Sequence, residues 1–244
     1  MELKINNLVK QFGGIMALKG VSLSFGGNEL IGLIGPNGSG KTTLINTIGG
    51  IHLPTRGEIH FNGTNISRMK PNEVARLGIG RTFQVTRAFR RMTVMENLLV
   101  PGMALAPERG QKAWRERARE VLDFLTMDHL RDDYARSLSG GQQKLLELGQ
   151  VMMTDPGLIL LDEPFAGVHP RLMETIFDYI TTLHSQGKAF IIVSHDMDSI
   201  FTLSKRLVVL SYGDVIADDV PEVVKQDEVV IKAYLGEEEE EAGA

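Results

Sequence analysis

The chain of 244 residues contains no cysteine. Disulfides, thiolate metal sites and cysteine nucleophiles are thereby excluded, as suits a cytoplasmic protein. Long apolar runs are missing too. Wholly apolar stretches such as Leu158 to Leu161 and Leu207 to Leu210 fall far short of the ~18 residues that cross a bilayer, so no membrane span is expected. The opening Met1-Glu2-Leu3-Lys4 lacks a basic flank and an apolar segment behind it, and no secretory signal is predicted. There is no basic excess: 26 Lys and Arg face 31 Asp and Glu, a net charge of -5. Five of those acids form one run, Glu237 to Glu241, so the rest of the chain is balanced. The broad positive field of a nucleic-acid binder is therefore absent, and no nucleic-acid partner is expected. What is present, 43% hydrophobic and 23% charged residues, describes one compact chain with a mixed α/β core.

The pattern along the chain changes twice. Leu3/Ile5, Val21/Leu23/Phe25 and Ile59/Phe61 alternate with polar neighbours at the period of a half-buried strand, and Asn62-Gly63 is a tight-turn pair. Leu30 to Ile34, Leu158 to Leu161 and Ile191 to Val193 are apolar nearly throughout, as central parallel strands covered on both faces must be. Helical stretches separate them, which is the pattern of a parallel sheet with crossovers. Between the first two, the texture becomes helical: Trp114, Ala118, Val121, Leu122 and Leu125 recur on one face of a helix over 108–125. A second helix follows Ser139-Gly140-Gly141, with Leu145, Leu148 and Met152 on one side and Pro156 closing it. A helical insertion is predicted over 85–155, inside a core of 1–84 and 156–236, with 237–244 as an acidic tail.

Gly35-Pro36-Asn37-Gly38-Ser39-Gly40-Lys41-Thr42, followed by Thr43, fits G-x-x-x-x-G-K-[ST] between an apolar strand and a helix. Glycines let the backbone curl so that N–H groups converge on phosphate oxygens, and the helix start adds partial positive charge. Lys41 then reaches the β and γ phosphates, and the Thr42 hydroxyl ligates Mg²⁺. Leu158-Ile159-Leu160-Leu161-Asp162-Glu163 ends a buried strand in two carboxylates. Ligands of open α/β sheets sit at the carboxyl ends of the strands, so Asp162 is predicted to hold Mg²⁺ and Glu163 to polarise an attacking water. Ser139-Gly140-Gly141-Gln142 is a capped helix start, able to hold an anion but on physics alone more often an ordinary cap.

The order of these motifs, phosphate loop, Leu138 to Gln142, the strand ending in Asp162-Glu163, then His195 after another apolar strand, resembles the ATP-binding cassette (ABC) ATPases over about Leu3 to Leu235. The resemblance implies a P-loop NTPase core with a mainly parallel sheet, an N-terminal antiparallel β subdomain and an inserted helical subdomain. It implies that Phe12 stacks on adenine, that Gln84 touches Mg²⁺, and that His195 contacts the γ-phosphate. It also implies a second cassette, identical or a sister chain, whose Ser139-to-Gln142 counterpart completes the ATP site. His169 stands where the family usually has an aspartate, which leaves coupling between paired sites open. His52, His60, His129 and His184 read as structural.

Gly80 to Gln84, Met92 to Leu99, Gly141 to Leu148 and Val230 to Gly236 further resemble ATP-binding subunits of branched-chain amino-acid importers, with parts shared by urea, lipopolysaccharide and lipid systems. The expected protein is an ATPase using ATP and Mg²⁺, peripheral at the cytoplasmic face of the membrane, with separate permease subunits and a substrate-binding protein. The segment 85–103, with Phe89, Met92 and Met95 as an adaptable apolar surface or as core, would receive a short helix of the membrane subunit. The alternatives are a soluble ABC protein of translation or DNA repair, which usually carries two cassettes or a long coiled-coil insertion, and a regulatory nucleotide-binding module. Glu163 and His195 argue against the second.

Overall fold

A computed structural model describes residues 1–82 and 88–234. Its first sheet is antiparallel and joins β1 (Glu2–Phe12), β2 (Ile15–Gly26), β4 (Arg56–Phe61) and β5 (Thr64–Asn65) in the order β2-β1-β4-β5. The alternation seen in the sequence holds: Leu3, Ile5, Val21, Leu23, Phe25, Ile59 and Phe61 are all buried. Asn62 and Gly63, with φ of 47° and 80°, form the two-residue turn between β4 and β5, since that hairpin geometry needs positive φ at both positions.

The second sheet takes β3 (Leu30–Ile34), β6 (Ile79–Arg81), β7 (Leu158–Asp162), β8 (Ala189–Val193), β9 (Arg206–Ser211) and β10 (Asp214–Asp219) in the order β10-β9-β3-β8-β7-β6. Only the β9–β10 pair is antiparallel. Both faces are covered, and the period of two divides each strand between two cores. Ile31, Leu33, Leu158, Leu160, Ile191, Val208 and Leu210 pack toward the antiparallel sheet and α1 (Lys41–Ile48). Leu30, Ile34, Ile159, Leu161, Phe190, Ile192, Leu207 and Val209 pack toward the remaining helices.

Those helices include α3 (Val94–Leu105), α4 (Gly110–Phe124), α5 (Gly140–Met152), α6 (Pro170–Ser185), α7 (Met197–Leu203) and α8 (Pro221–Val224), whereas Val74 of α2 (Pro71–Arg76) joins the core with α1 and the antiparallel sheet. α3 starts at a capping box in which Thr93 Oγ1 accepts from Glu96 N–H and the Glu96 carboxylate accepts from Thr93 N–H. α4 begins two residues later than its pattern predicts, after a single 3₁₀ turn over Pro107–Arg109. The predicted apolar face of α4 is buried as expected: Trp114 lies against Gly102 of α3 and donates its indole N–H to the Ala106 carbonyl at 2.9 Å. Burying such a side chain contributes ~1.5–3 kcal/mol, which fastens α4 to α3. Of the apolar residues proposed for a docking surface, Met95 is core and Phe89 is exposed. Among the described residues no helix is long and apolar enough to cross a membrane.

The strand order is what builds a site. β8 lies between β3 and β7, and β6 flanks β7. The carboxyl ends of neighbouring strands therefore deliver the phosphate loop, His195, Asp162-Glu163 and Arg81 to one edge.

Candidate nucleotide site

At the end of β3 the chain turns through Gly35, Gly38 and Gly40, with φ of 142°, 72° and 107°. These are left-handed conformations that side chains resist. Space forbids a side chain as well: a Cβ on Gly35 would lie 1.9 Å from the Leu210 carbonyl oxygen, and one on Gly40 would lie 2.5 Å from that of Ala17. α1 then starts at Lys41 with no side-chain cap and no acid in its first turn. Its leading N–H groups and dipole are left to an external anion. Lys41 Nζ donates to the carbonyls of Gly35 and Pro36 at 2.6 and 2.7 Å, folding across the loop. Asn37, Gly38, Ser39, Thr42 and Thr43, with Ala17, Glu163 and Val193, wall a cleft of about 200 Å³. A larger apolar groove of about 300 Å³, between α2 and α3 and lined in part by Ile51, Val74, Phe89, Pro101 and Leu105, holds none of the predicted site residues.

Asp162 is 1% exposed. Its Oδ2 accepts from Arg81 Nη2 at 3.3 Å, while its Oδ1 is buried with no hydrogen-bond partner among the described residues. Burial pushes the carboxyl above the ordinary carboxylate range, opposed by Arg81 and reinforced by Glu163. Arg81 is shared: Nη1 donates to Asn46 of α1 and Nε to the Thr82 carbonyl at 3.2 Å. One guanidinium thus ties the acid strand to the helix behind the phosphate loop. An unsatisfied buried carboxylate oxygen is costly, and it fits a cation that the remaining ligands, a hydroxyl and substrate oxygens, would complete. Among the described residues no group of three or more His, Asp or Glu is placed to hold a metal ion by itself.

Glu163 sits at φ 53°, bent out of the strand line, with its N–H bonded to the Val193 carbonyl at 2.9 Å. His195 Nδ1 lies 2.9 Å from Glu163 Oε2, and the His195 side chain is 74% exposed. The imidazole therefore bridges the carboxylate to open solvent beside the cleft. With Nδ1 carrying the proton toward Glu163, Nε2 is left as the outward acceptor.

The remaining predicted residues are placed elsewhere. Phe12, at the end of β1, is 42% exposed and packs edge-on against His52 at 5.1 Å, with Lys10 Nζ over its ring at 4.6 Å. Ser139 caps α5: its Oγ accepts from Gln142 N–H at 3.3 Å, and Gln142 Oε1 accepts from Ser139 N–H at 2.9 Å. Ser139, Gly140, Gly141 and Gln142 do not line the phosphate-loop cleft of their own chain. His169 caps α6, its Nδ1 accepting from Arg171 N–H at 3.3 Å. Gln84 lies outside the described residues. Arg81 and Lys144, which reaches the Glu163 carbonyl at 3.1 Å, were not assigned from the sequence. The available signal for Arg81 was a charged residue closing an apolar strand.

A family model described as "ABC transporter" matches residues 18–166, and one described as "Branched-chain amino acid ATP-binding cassette transporter" matches residues 215–240. The chain is 38% identical over 254 residues to the probable branched-chain amino acid transport ATP-binding protein LivG of Archaeoglobus fulgidus, covering 98% of this chain and 97% of that protein. Among solved structures it resembles the ADP conformation of an ATP-binding cassette of an ABC transporter, with a TM-score of 0.87, 38% identity, and coverage of 97% of this chain and 99% of that one. It also resembles a dimeric cassette in a post-hydrolysis state bound to ADP and phosphate, with a TM-score of 0.81, 28% identity, and coverage of 89% and 98%. Phosphate loop, acid pair and whole-chain likeness agree: the chain belongs to the ABC transporter ATP-binding family, whose ATPase cassettes energise transport.

Proposed function

We propose that this cassette powers import of branched-chain amino acids and that each of its ATP sites is shared with a second cassette. The observation that carries the reading is the pairing of Glu163 with His195 at 2.9 Å beside a cleft floored by the phosphate loop. In this reading Lys41 exchanges its two loop carbonyls for β and γ phosphate oxygens. Thr42 and the free Oδ1 of Asp162, with Gln84, hold Mg²⁺, which neutralises phosphate charge when bound. Phe12 stacks on adenine. Glu163 takes a proton from the attacking water as that water's oxygen bonds to the γ-phosphorus and the bond to the ADP oxygen breaks. His195 holds the carboxylate in place and presents its outer nitrogen to the γ-phosphate.

The start of α5 does not line its own cleft, which supports its use by a partner: Ser139 and the leading N–H groups of the helix would meet the γ-phosphate held by a second copy or sister chain. The dimeric relative lends the same support. Core segments 1–84 and 156–236 then carry the site, and the helical segment 85–155 carries the coupling. The apolar groove lined by Phe89 and Pro101 would receive a short helix of a separate permease subunit, placing the cassette on the cytoplasmic face of the membrane with a substrate-binding protein across it. The names of the relatives support branched-chain amino acids as the cargo.

Glu163→Gln tests the catalytic core of this reading. Hydrolysis is expected to fall by about 10²- to 10⁴-fold, while ATP drives accumulation of a dimer on gel filtration. Parental turnover in that variant would overturn the assignment. Co-purification with permease subunits, followed by leucine uptake in vesicles, tests the transport reading; association with ribosomes or DNA and no membrane subunit would end it.

A further inference from the structure

Glu163 is held at three points. Its carboxylate is bonded to His195, its N–H to the Val193 carbonyl, and its own carbonyl oxygen accepts from Ala166 N–H at 3.3 Å and from Lys144 Nζ at 3.1 Å. The first three ties come from β8, from the residues just after it and from the turn that follows Glu163. The last comes from another part of the molecule, the first turns of α5, five residues beyond Ser139. The contact is not incidental to a loose surface chain, since Lys144 is partly buried and the helix it leaves is seated closely. A Cβ on Gly141 would lie 1.8 Å from Leu172 Cδ2 of α6, so the α5 start and the segment after Glu163 approach at van der Waals distance. A lysine ammonium satisfying a carbonyl makes a charge-assisted bond stronger than the neutral one from Ala166. It acts on a peptide unit whose φ of 53° is a conformation that a glutamate adopts only when its surroundings hold it there.

We propose that Lys144 is a positioning residue for hydrolysis, fastening the backbone of Glu163 to the helix that begins at Ser139. The inference rests on the assignment of Glu163 as the base that activates water. Whatever Ser139 engages moves α5, and Lys144 converts that movement into a displacement of the Glu163 peptide rather than of the phosphate loop. The phosphate loop bears no hydrogen bond to Lys144 among the described residues; Lys144 meets Glu163 by a direct bond and Asp162 only through space, as a minor charge on its carboxyl. A lysine that served only to fasten α5 would lower stability and leave turnover per folded molecule alone.

Turnover and ATP affinity are measured on the full chain for the parent, Lys144→Met, Lys144→Arg and Glu163→Gln. Lys144→Met is expected to lower kcat by about 10- to 100-fold, the loss of one charge-assisted hydrogen bond, while KM and the Kd for ATP by fluorescence change by less than about twofold. Lys144→Arg, which keeps a cationic donor, is expected to recover most of kcat. Parental kcat in Lys144→Met, equal loss in Lys144→Arg, or a matching loss of ATP affinity overturns the proposal. If Lys144→Met does not fold, Lys144→Gln, which keeps polarity but not charge or reach, is read by the same three outcomes. An inactive Glu163→Gln beside an active Lys144→Met removes only the role of Lys144; an active Glu163→Gln removes the premise itself.

Discussion

Two helix starts in this chain look alike in sequence and differ in physics. α1 opens at Gly40-Lys41 with its N-terminal N–H groups uncapped by any side chain, beneath a loop of left-handed glycines, and is tied through Arg81 to Asp162, whose Oδ1 has no hydrogen-bond partner among the described residues. α5 opens at Ser139 with a complete capping box, so the N–H groups of Ser139 and Gln142 are already served by its own side chains. The first is arranged to need an occupant, and folding leaves it incomplete. The second is stable alone and takes an anion only by trading its own bonds. In the proposed reading, the first holds nucleotide through a cycle and the second lets go on reopening, which suits that difference.

The comparison breaks most severely at Gly35. Gly35→Ala forces a Cβ against the Leu210 carbonyl at a φ of 142°, and is expected to cost ~2–4 kcal/mol of stability and at least ~100-fold in ATP affinity. Chemical denaturation and fluorescent-nucleotide titration measure both; intact affinity would mean the cradle tolerates a side chain. A smaller stability change is expected at the other helix. Ser139→Ala should cost ~1 kcal/mol through the lost cap, leave ATP binding by the monomer intact, and reduce hydrolysis much further than that. Thr93→Ala is its control, because it removes an equivalent capping box from α3: the same stability loss with hydrolysis unchanged in the isolated chain sharpens the contrast, and equal activity loss in both variants erases it.

The smallest effect has the opposite sign. The Asp162 carboxyl is held above its ordinary range by burial, so the folded chain retains its proton longer than the unfolded one does. Its contribution is favourable below the unfolded carboxylate pKa and declines as pH rises through the folded value. Asp162→Asn, which mimics the protonated acid, is therefore expected to melt at a higher temperature than the parent at neutral pH without nucleotide, the gap closing as pH falls below the carboxylate range. It should lose Mg²⁺-dependent hydrolysis at the same time. A lower melting temperature at neutral pH would show that the Arg81 pair outweighs the burial cost.

Much of this was legible beforehand because it is local. Period-two alternation named the inward residues of β1, β2 and β4, continuous apolar runs named the central strands, and the phosphate loop carries its chemistry in consecutive residues. Asn62-Gly63 announced its hairpin, since few other pairs accept positive φ twice. Met95 shows where such reading stops. A methionine at helical spacing suits a docking surface or a core, and only the packing of α3 against its neighbours buries it. Arg81 and Lys144 show the same limit for chemistry, as each is 19 or more positions from the acid it serves.

By itself the sequence determined which residues could carry phosphate, metal and proton chemistry, and which segments would be strand or helix, because those depend on neighbours along the chain. The tertiary structure alone decided the strand order that sets β8 between β3 and β7, the guanidinium that occupies one oxygen of Asp162 while the other has no hydrogen-bond partner among the described residues, and the lysine of α5 on the backbone of Glu163. Hydrogen bonds and burial act over a few ångströms in space, and no period or spacing records which distant residues folding will bring within that reach.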